Sequence, residues 1–286
     1  MNPILLAAAT LGDKIDSAFY AFDMWVFHLF GSMQCGFLTT ISKIFTTFGD
    51  EAFVIPMAIL GIVLCLFKKT RKYGFALIFA IAIGTIVTNV VVKPMALRIR
   101  PYNTLQGNAE YWAWYKGVGM LSESDYSFPS GHTTAAFEMA TAMFLCFMSD
   151  KKKKIAWIFP VLAILTMCSR VYLMVHYASD VLCGLVVGIC AGVIAFFLSK
   201  LVCRIFKRLN SLIQSTAINS LRNSTKRMNT PINGIKQSSA LRLLPSSSLP
   251  ISPPFPKAER RLFAVHITRN TTARTRLKWM MKNILQ

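Results

Sequence analysis

The chain has 286 residues, of which 54% are hydrophobic and 15% charged, where an average soluble domain carries about a quarter charged residues; this argues against a soluble globular protein and for a membrane protein. The formal charge of +20 is uneven, because residues 201–286 hold 16 Lys or Arg against one acid, Glu259, leaving a net +5 for residues 1–200. The basic balance therefore belongs to the tail and does not support nucleic-acid binding. Seven cysteines lie mostly in apolar runs without a CxxC pair or a ligand-like pairing with His, which favours small buried hydrophobes over disulfides or a metal site.

The N-terminus, Met1-Asn2-Pro3-Ile4-Leu5-Leu6, has no basic n-region, so a cleaved signal peptide is not expected. Residues 1–50 form an aromatic-rich segment interrupted by Asp16, Asp23, His28, Gln34 and Lys43. It fits either a tilted span or an amphipathic helix in the interface, with at least partial insertion favoured. Gly49-Asp50-Glu51 breaks the pattern, and Ala52–Phe67 follows as an apolar run, short for a span that needs about 20 residues. Lys68-Lys69-Thr70-Arg71-Lys72 separates it from a second run, Tyr73–Val92. Residues 93–131 are a polar connection. Thr133–Met148, Ile155–Met174 and Val181–Leu198 are three further runs, with Asp150 and Lys151–Lys154 between the first two.

Basic connections favour the cytoplasmic side of a membrane. Lys68–Lys72, Lys151–Lys154 and Lys200–Arg208 are separated by even numbers of crossings, so all three fit inside. Lys93–His132 and His176 then share the outer face. Residues 209–286, rich in Ser, Asn, Thr, Arg and Pro, read as a disordered, basic cytoplasmic tail, with a short basic helix as an option at Leu277–Leu285. The expected fold is all-α: a polytopic transmembrane bundle of about five to six helices. Its parts are an N-terminal span or interfacial helix (1–50), a membrane core (51–208) and the tail (209–286).

Three short motifs carry chemistry. In Lys93-Pro-Met-Ala-Leu-Arg98-Ile-Arg100-Pro101, three cations end a span, and Pro101 forces Arg100 toward extended backbone. Taken alone, such a cluster also suits snorkelling to headgroups. Pro129-Ser130-Gly131-His132 opens a helix whose free N–H groups suit an anion, and His132 exchanges protons near neutral pH; an ordinary N-cap would look the same. Ser169-Arg170 is followed by His176 and Asp180. Arg170 can hold two phosphate oxygens. Asp180 can fix the tautomer of a nucleophilic His176, although a structural His–Asp bridge or a proton relay has the same ingredients. Glu138, inside the third run, is expected to face the site, to pair with a motif cation, or to be a structural residue. Tyr111, Trp112, Trp114 and Tyr115 fit interfacial anchoring, or a lid.

Lys93…Arg100-Pro101, Pro129–His132 and Ser169-Arg170…His176…Asp180 match in full and in order the patterns K-x6-R-P, P-S-G-H and S-R-x5-H-x3-D. The chain thus resembles the type 2 phosphatidic acid phosphatase (PAP2) superfamily over roughly residues 45–200. The resemblance implies that His176 attacks phosphorus, that Asp180 orients it and that His132 protonates the leaving oxygen. It also implies that Lys93, Arg100, Ser130, Gly131 and Arg170 bind the phosphate, with no metal and no cofactor. The implied substrate is a lipid phosphate or pyrophosphate at the outer face of the cell membrane. Undecaprenyl pyrophosphate, phosphatidylglycerophosphate and phosphatidic acid are the usual kinds, the first slightly favoured. A lipid phosphotransferase would use the same residues. A transporter would spread its polar groups through the spans, and a vanadate-dependent haloperoxidase would be soluble. Partners beyond the lipid and the bilayer, and the oligomeric state, are not legible.

Overall fold

In the computed structural model, residues 10–228 are described, and their side chains to residue 225; every described element is helical. Two compact units divide the chain, residues 1–213 and 214–286. The first contains helices α1 (Leu11–Ser32), α2 (Gly36–Thr46), α3 (Glu51–Leu66) and α4 (Arg71–Thr85). A π-helical segment, Ile86–Val92, extends α4 and leads into the short helices α5 (Lys93–Ala96) and α6 (Pro101–Thr104). Then come α7 (Ala109–Gly117), α8 (Gly131–Ser149), α9 (Lys153–Ala156), α10 (Ile158–Tyr172) and α11 (Ala178–Met228).

Among the described residues, three helical stretches are long and apolar enough to cross a membrane: Arg71–Thr104, Lys153–Tyr172 and Ala178–Thr225. A fourth arises if Gly36–Gly49 and Glu51–Leu66, bent by 42°, make one span. The all-α membrane bundle is as expected, and three or four of the expected five to six helices meet this measure of length and composition. The run at Thr133–Met148 does form α8, but His132, three threonines and Glu138 dilute it. A helix surrounded by protein tolerates that polarity: Thr133, Thr134, Glu138 and much of its apolar length are buried.

Glycines set how closely α8 is wrapped. Gly184, Gly188 and Gly192, one helical turn apart on α11, face it directly. A Cβ on each would lie 2.8 Å from Ser130 O, 2.6 Å from Phe137 Cβ and 2.6 Å from Thr141 Cβ. Small residues at this spacing let two backbones touch, which is how helices associate where no hydrophobic effect drives them.

The two ends of the bundle differ in character. Lys72 and Tyr73 both bond Asp150, and Arg71 lies over the Phe206 ring at 5.0 Å, so the basic connections gather at one end. The three motifs gather at the other. Helix α1 packs against this second end along its length: Gly12 against Arg98, Phe27 against Tyr111 and Tyr177, Gly31 against Trp114. It is not among the stretches that meet the measure of length and hydropathy above. Its buried face carries Asp23, while Phe19, Tyr20 and Trp25 are exposed, an amphipathic pattern. Residues 209–228, expected to be irregular, are helical, with Leu209, Leu212 and Ile213 recurring near the helical period. The rest of the tail, including Leu277–Leu285, lies outside the described residues.

Candidate active site

Each motif residue is presented by a helix end. The chain leaves the π-helical segment at Lys93, turns through Leu97 with φ +53° and reaches Arg100 in extended geometry (φ −70°, ψ 149°), as Pro101 requires. Ser130 is the N-cap of α8, its Oγ accepting from Thr133 N at 3.4 Å. Its backbone N–H donates to Asp180 O at 3.2 Å, which ties the second motif to the third. Gly131 opens α8 beside Lys93, whose Nζ is 3.5 Å from where a Cβ would stand. Arg170 ends α10, His176 sits in the five-residue link 173–177, and Asp180 lies in the first turn of α11.

The expected residues converge. Arg100 Nη1 donates to His176 Nε2 at 3.1 Å and to Val175 O at 3.1 Å. His176 Nδ1 faces Asp180 Oδ2 at 3.4 Å and Ser127 Oγ at 3.4 Å. A donor on Nε2 and a carboxylate on Nδ1 assign the proton to Nδ1, with the Nε2 lone pair accepting from Arg100. Burial first, then the Arg100 and Arg170 guanidiniums, hold the imidazole well below its ordinary pKa. Arg170 bonds Thr46 Oγ1 at 2.6 Å and pairs with Glu123, while its buried Nε has no hydrogen-bond partner among the described residues. Lys93, Gly131, His132 and Arg170 line one cavity of about 1340 Å³, and Gly49 packs on the His132 backbone. The cavity wall continues into the apolar side chains Val54, Ile55, Ala58, Ile81 and Leu97.

Five contributors carried no sequence signal strong enough to single them out. Arg98, an unspecified position inside the first motif, is fully buried. It donates to Asp180 Oδ1 at 2.6 Å, Ser179 Oγ at 2.7 Å, Asp23 Oδ2 at 2.8 Å and Asp16 Oδ1 at 2.8 Å. Its guanidinium also stacks 3.8 Å from the Tyr177 ring centroid. Asp23 of α1 accepts from Ser179 N at 2.8 Å, which makes the N-terminal segment a structural partner of the third motif. Ser127 donates to Asp180 Oδ2 at 2.5 Å. Glu123 and Asp125 lie among the cations. Asp125 pairs with Lys93 and Arg100; Glu123 pairs with Arg170 and, at 2.5 Å, with Arg100 Nη2. Burial pushes both carboxyls up, but these cations outweigh it and hold each at about 2.

Glu138 lines the same cavity but pairs with no motif cation; both carboxyl oxygens are buried without a partner among the described residues. Tyr111 and Tyr115 are core residues rather than membrane anchors, because their hydroxyls find the carbonyls of Met174 and Leu121 at 2.5 and 2.6 Å.

A family model described as the PAP2 superfamily matches residues 73–204. An undecaprenyl-diphosphatase of Sulfolobus acidocaldarius is 32% identical over 168 residues, which are 58% of this chain and 73% of that protein. Undecaprenyl-diphosphatase BcrC of Bacillus subtilis is 31% identical over 180 residues, 61% of this chain and 83% of that protein. The crystal structure of a transmembrane PAP2-type phosphatidylglycerolphosphate phosphatase from Bacillus subtilis superposes with a TM-score of 0.52 at 26% identity, covering 66% of this chain and 89% of that one. With residues of all three motifs on one cationic cavity and relatives matched over most of their own length, the chain belongs to the PAP2 superfamily and is a membrane lipid phosphatase.

Proposed function

We propose that the enzyme removes the terminal phosphate of a lipid phosphate or diphosphate through a phosphohistidine on His176, at the outer face of the membrane. The observation that carries the reading is the placement of the imidazole: Nδ1 turned to Asp180 and Nε2 turned to Arg100. The Nε2 lone pair attacks phosphorus while the bond to the lipid oxygen breaks, and His132 gives that oxygen its proton. His132 then takes a proton from water, whose oxygen attacks phosphorus as the P–N bond breaks, releasing phosphate and restoring His176. Lys93, Arg100 and Arg170, with the N–H groups at the start of α8, hold the equatorial oxygens and the charge that spreads over them. Asp180 stabilises the imidazolium as it forms, as the carboxylate of a hydrolase triad does.

Undecaprenyl-type diphosphate is the first substrate to test, since two of the relatives carry that activity in their names. The apolar cavity wall beside the cations supports a lipid chain lying next to α3 and α4. The outer location is supported by the basic connections gathered at the opposite end of the bundle. The test is phosphate release by purified protein from a panel of lipid phosphates, with EDTA present. His176→Ala is expected to lose turnover while still inserting, and vanadate is expected to inhibit the parent. Full activity in His176→Ala refutes the mechanism.

A further inference from the structure

The three cations assigned to phosphate binding already hold counter-charges. Lys93, Arg100 and Arg170 are matched by Glu123 and Asp125, and all five line one cavity except Arg100, which reaches into it through its two acidic partners. Both acids come from the short segment between α7 and α8, and its backbone is fixed. Tyr102 Oη donates to Glu123 O at 2.8 Å and accepts from Glu123 N at 2.9 Å. Arg100 Nε donates to Asp125 O at 2.9 Å, and Ser127 N donates to Arg98 O at 2.8 Å. The carboxylates are thus delivered to the cations by a braced segment and can leave by side-chain rotation alone. Glu123 and Asp125 side chains are 26% and 47% exposed, so solvent reaches both.

We propose that Glu123 and Asp125 determine specificity: their carboxylates compete for the phosphate-binding cations and set a charge threshold that phosphodiester headgroups fail and terminal phosphates pass. The inference rests on the phosphatase reading of the site. An enzyme in a bilayer is surrounded by phosphodiesters, each with one ionised oxygen. Replacing one resident carboxylate by one such oxygen gains no charge and costs the desolvation of the incoming headgroup. A terminal phosphate carries about −1.5 to −2 near neutral pH and three acceptor oxygens, so it outcompetes a carboxylate on charge and on hydrogen bonds. Without the two acids, the three cations would attract any anionic headgroup.

The experiment compares binding, so it does not depend on turnover. Calorimetry at pH 8 on the purified full chain in nonionic detergent gives Kd for inorganic phosphate and for dihexanoyl phosphatidylglycerol. The parent is expected to prefer phosphate by about tenfold or more. In Glu123→Gln/Asp125→Asn, phosphatidylglycerol binding is expected to tighten so that this preference narrows at least tenfold. An unchanged preference overturns the proposal. Weakening of both ligands in parallel also overturns it, since the acids would then only be holding the cations in position. If the double variant does not fold, Asp125→Asn alone carries the test, with a smaller narrowing expected and none refuting it. A parent that binds phosphate selectively yet releases none from any lipid would sink the phosphatase reading and leave the selectivity result standing.

Discussion

Arg98 Nη1 meets Asp180 Oδ1 at 2.6 Å, while the other oxygen of that carboxylate faces His176. One carboxylate therefore divides its two oxygens between a structural cation and the proposed nucleophile. The same guanidinium reaches Asp16 and Asp23 on α1, so the orientation of the imidazole depends on the N-terminal helix.

Arg98→Lys is expected to keep a charge in place but to lose the fork that reaches three carboxylates at once. By analogy with the outer partners of oriented imidazoles, kcat should fall about 10- to 100-fold with KM little changed. A rise in KM at unchanged kcat would instead make Arg98 a phosphate ligand. Arg98→Ala leaves three carboxylates without their cation and should cost about 3–5 kcal/mol of stability, read as a lower unfolding temperature in detergent. Asp23→Asn should reproduce the kinetic effect of Arg98→Lys in weaker form.

The two histidines should separate by leaving group. If His132 protonates the departing lipid oxygen, His132→Ala should slow lipid phosphate hydrolysis by about 10²- to 10⁴-fold. An aryl phosphate such as p-nitrophenyl phosphate needs no proton on its leaving oxygen, so much of that loss should disappear with it. His176→Ala should be inactive on both. Equal losses for His132→Ala on the two substrates would remove the general-acid role.

The motif residues were legible because their spacing is rigid: a cation, an imidazole and a carboxylate at fixed offsets in an apolar chain have few other uses. The braces around them were not. Arg98 sits at an unspecified motif position, and Asp23 sits 75 residues away from it on a segment that reads equally well as a span. Ser127 is one serine in a polar loop. Glu123 and Asp125 looked like loop solvation, because nothing in their neighbours along the chain reveals that three cations fold onto them. Tyr111 and Tyr115 followed an interfacial pattern and became core only because backbone carbonyls of other segments were within reach. The tolerance of α8 for His132 and Glu138 was not legible either, since it comes from neighbours that the sequence does not display.

The pH dependence has a worked sign. His176 titrates well below its ordinary value because of burial, Arg100 and Arg170, so it stays neutral and nucleophilic further into acid than a free imidazole of about 6.5. The acid limb it contributes to kcat/KM should lie below that value. For stability, the unfolded chain takes up the histidine proton first, so acidification below about 6.5 favours unfolding. Glu123 and Asp125 act in the same direction lower down. Their unfolded values of 4.5 and 3.8 fall to about 2 in the fold, so the stability they confer is present above the unfolded values and lost as pH falls toward 2. The unfolding temperature should therefore drop on acidification, more steeply below pH 5, and Glu123→Gln/Asp125→Asn should flatten the lower part. A parent protein that becomes more stable between pH 6 and 4 contradicts the His176 assignment, and one that becomes more stable between pH 4 and 2 contradicts those of Glu123 and Asp125.

Gly84 and Glu138 make a paired test of the polar interior. A Cβ on Gly84 would stand 1.3 Å from Glu138 Oε2, so the carboxyl fits only because residue 84 has no side chain. Gly84→Ala must push either the carboxyl or α4 aside, and overpacking of this kind costs about 1–3 kcal/mol. Glu138→Ala empties the contested space, so the double variant should recover most of the stability that Gly84→Ala loses, a coupling that separate sites would not show. Activity then decides what the carboxyl is for. Glu138→Gln preserves shape and hydrogen-bonding capacity, and unchanged turnover and expression would assign Glu138 to packing alone. A fall in kcat with intact folding would tie this buried acid, on the wall of the cavity that holds His132, to the chemistry at the cations.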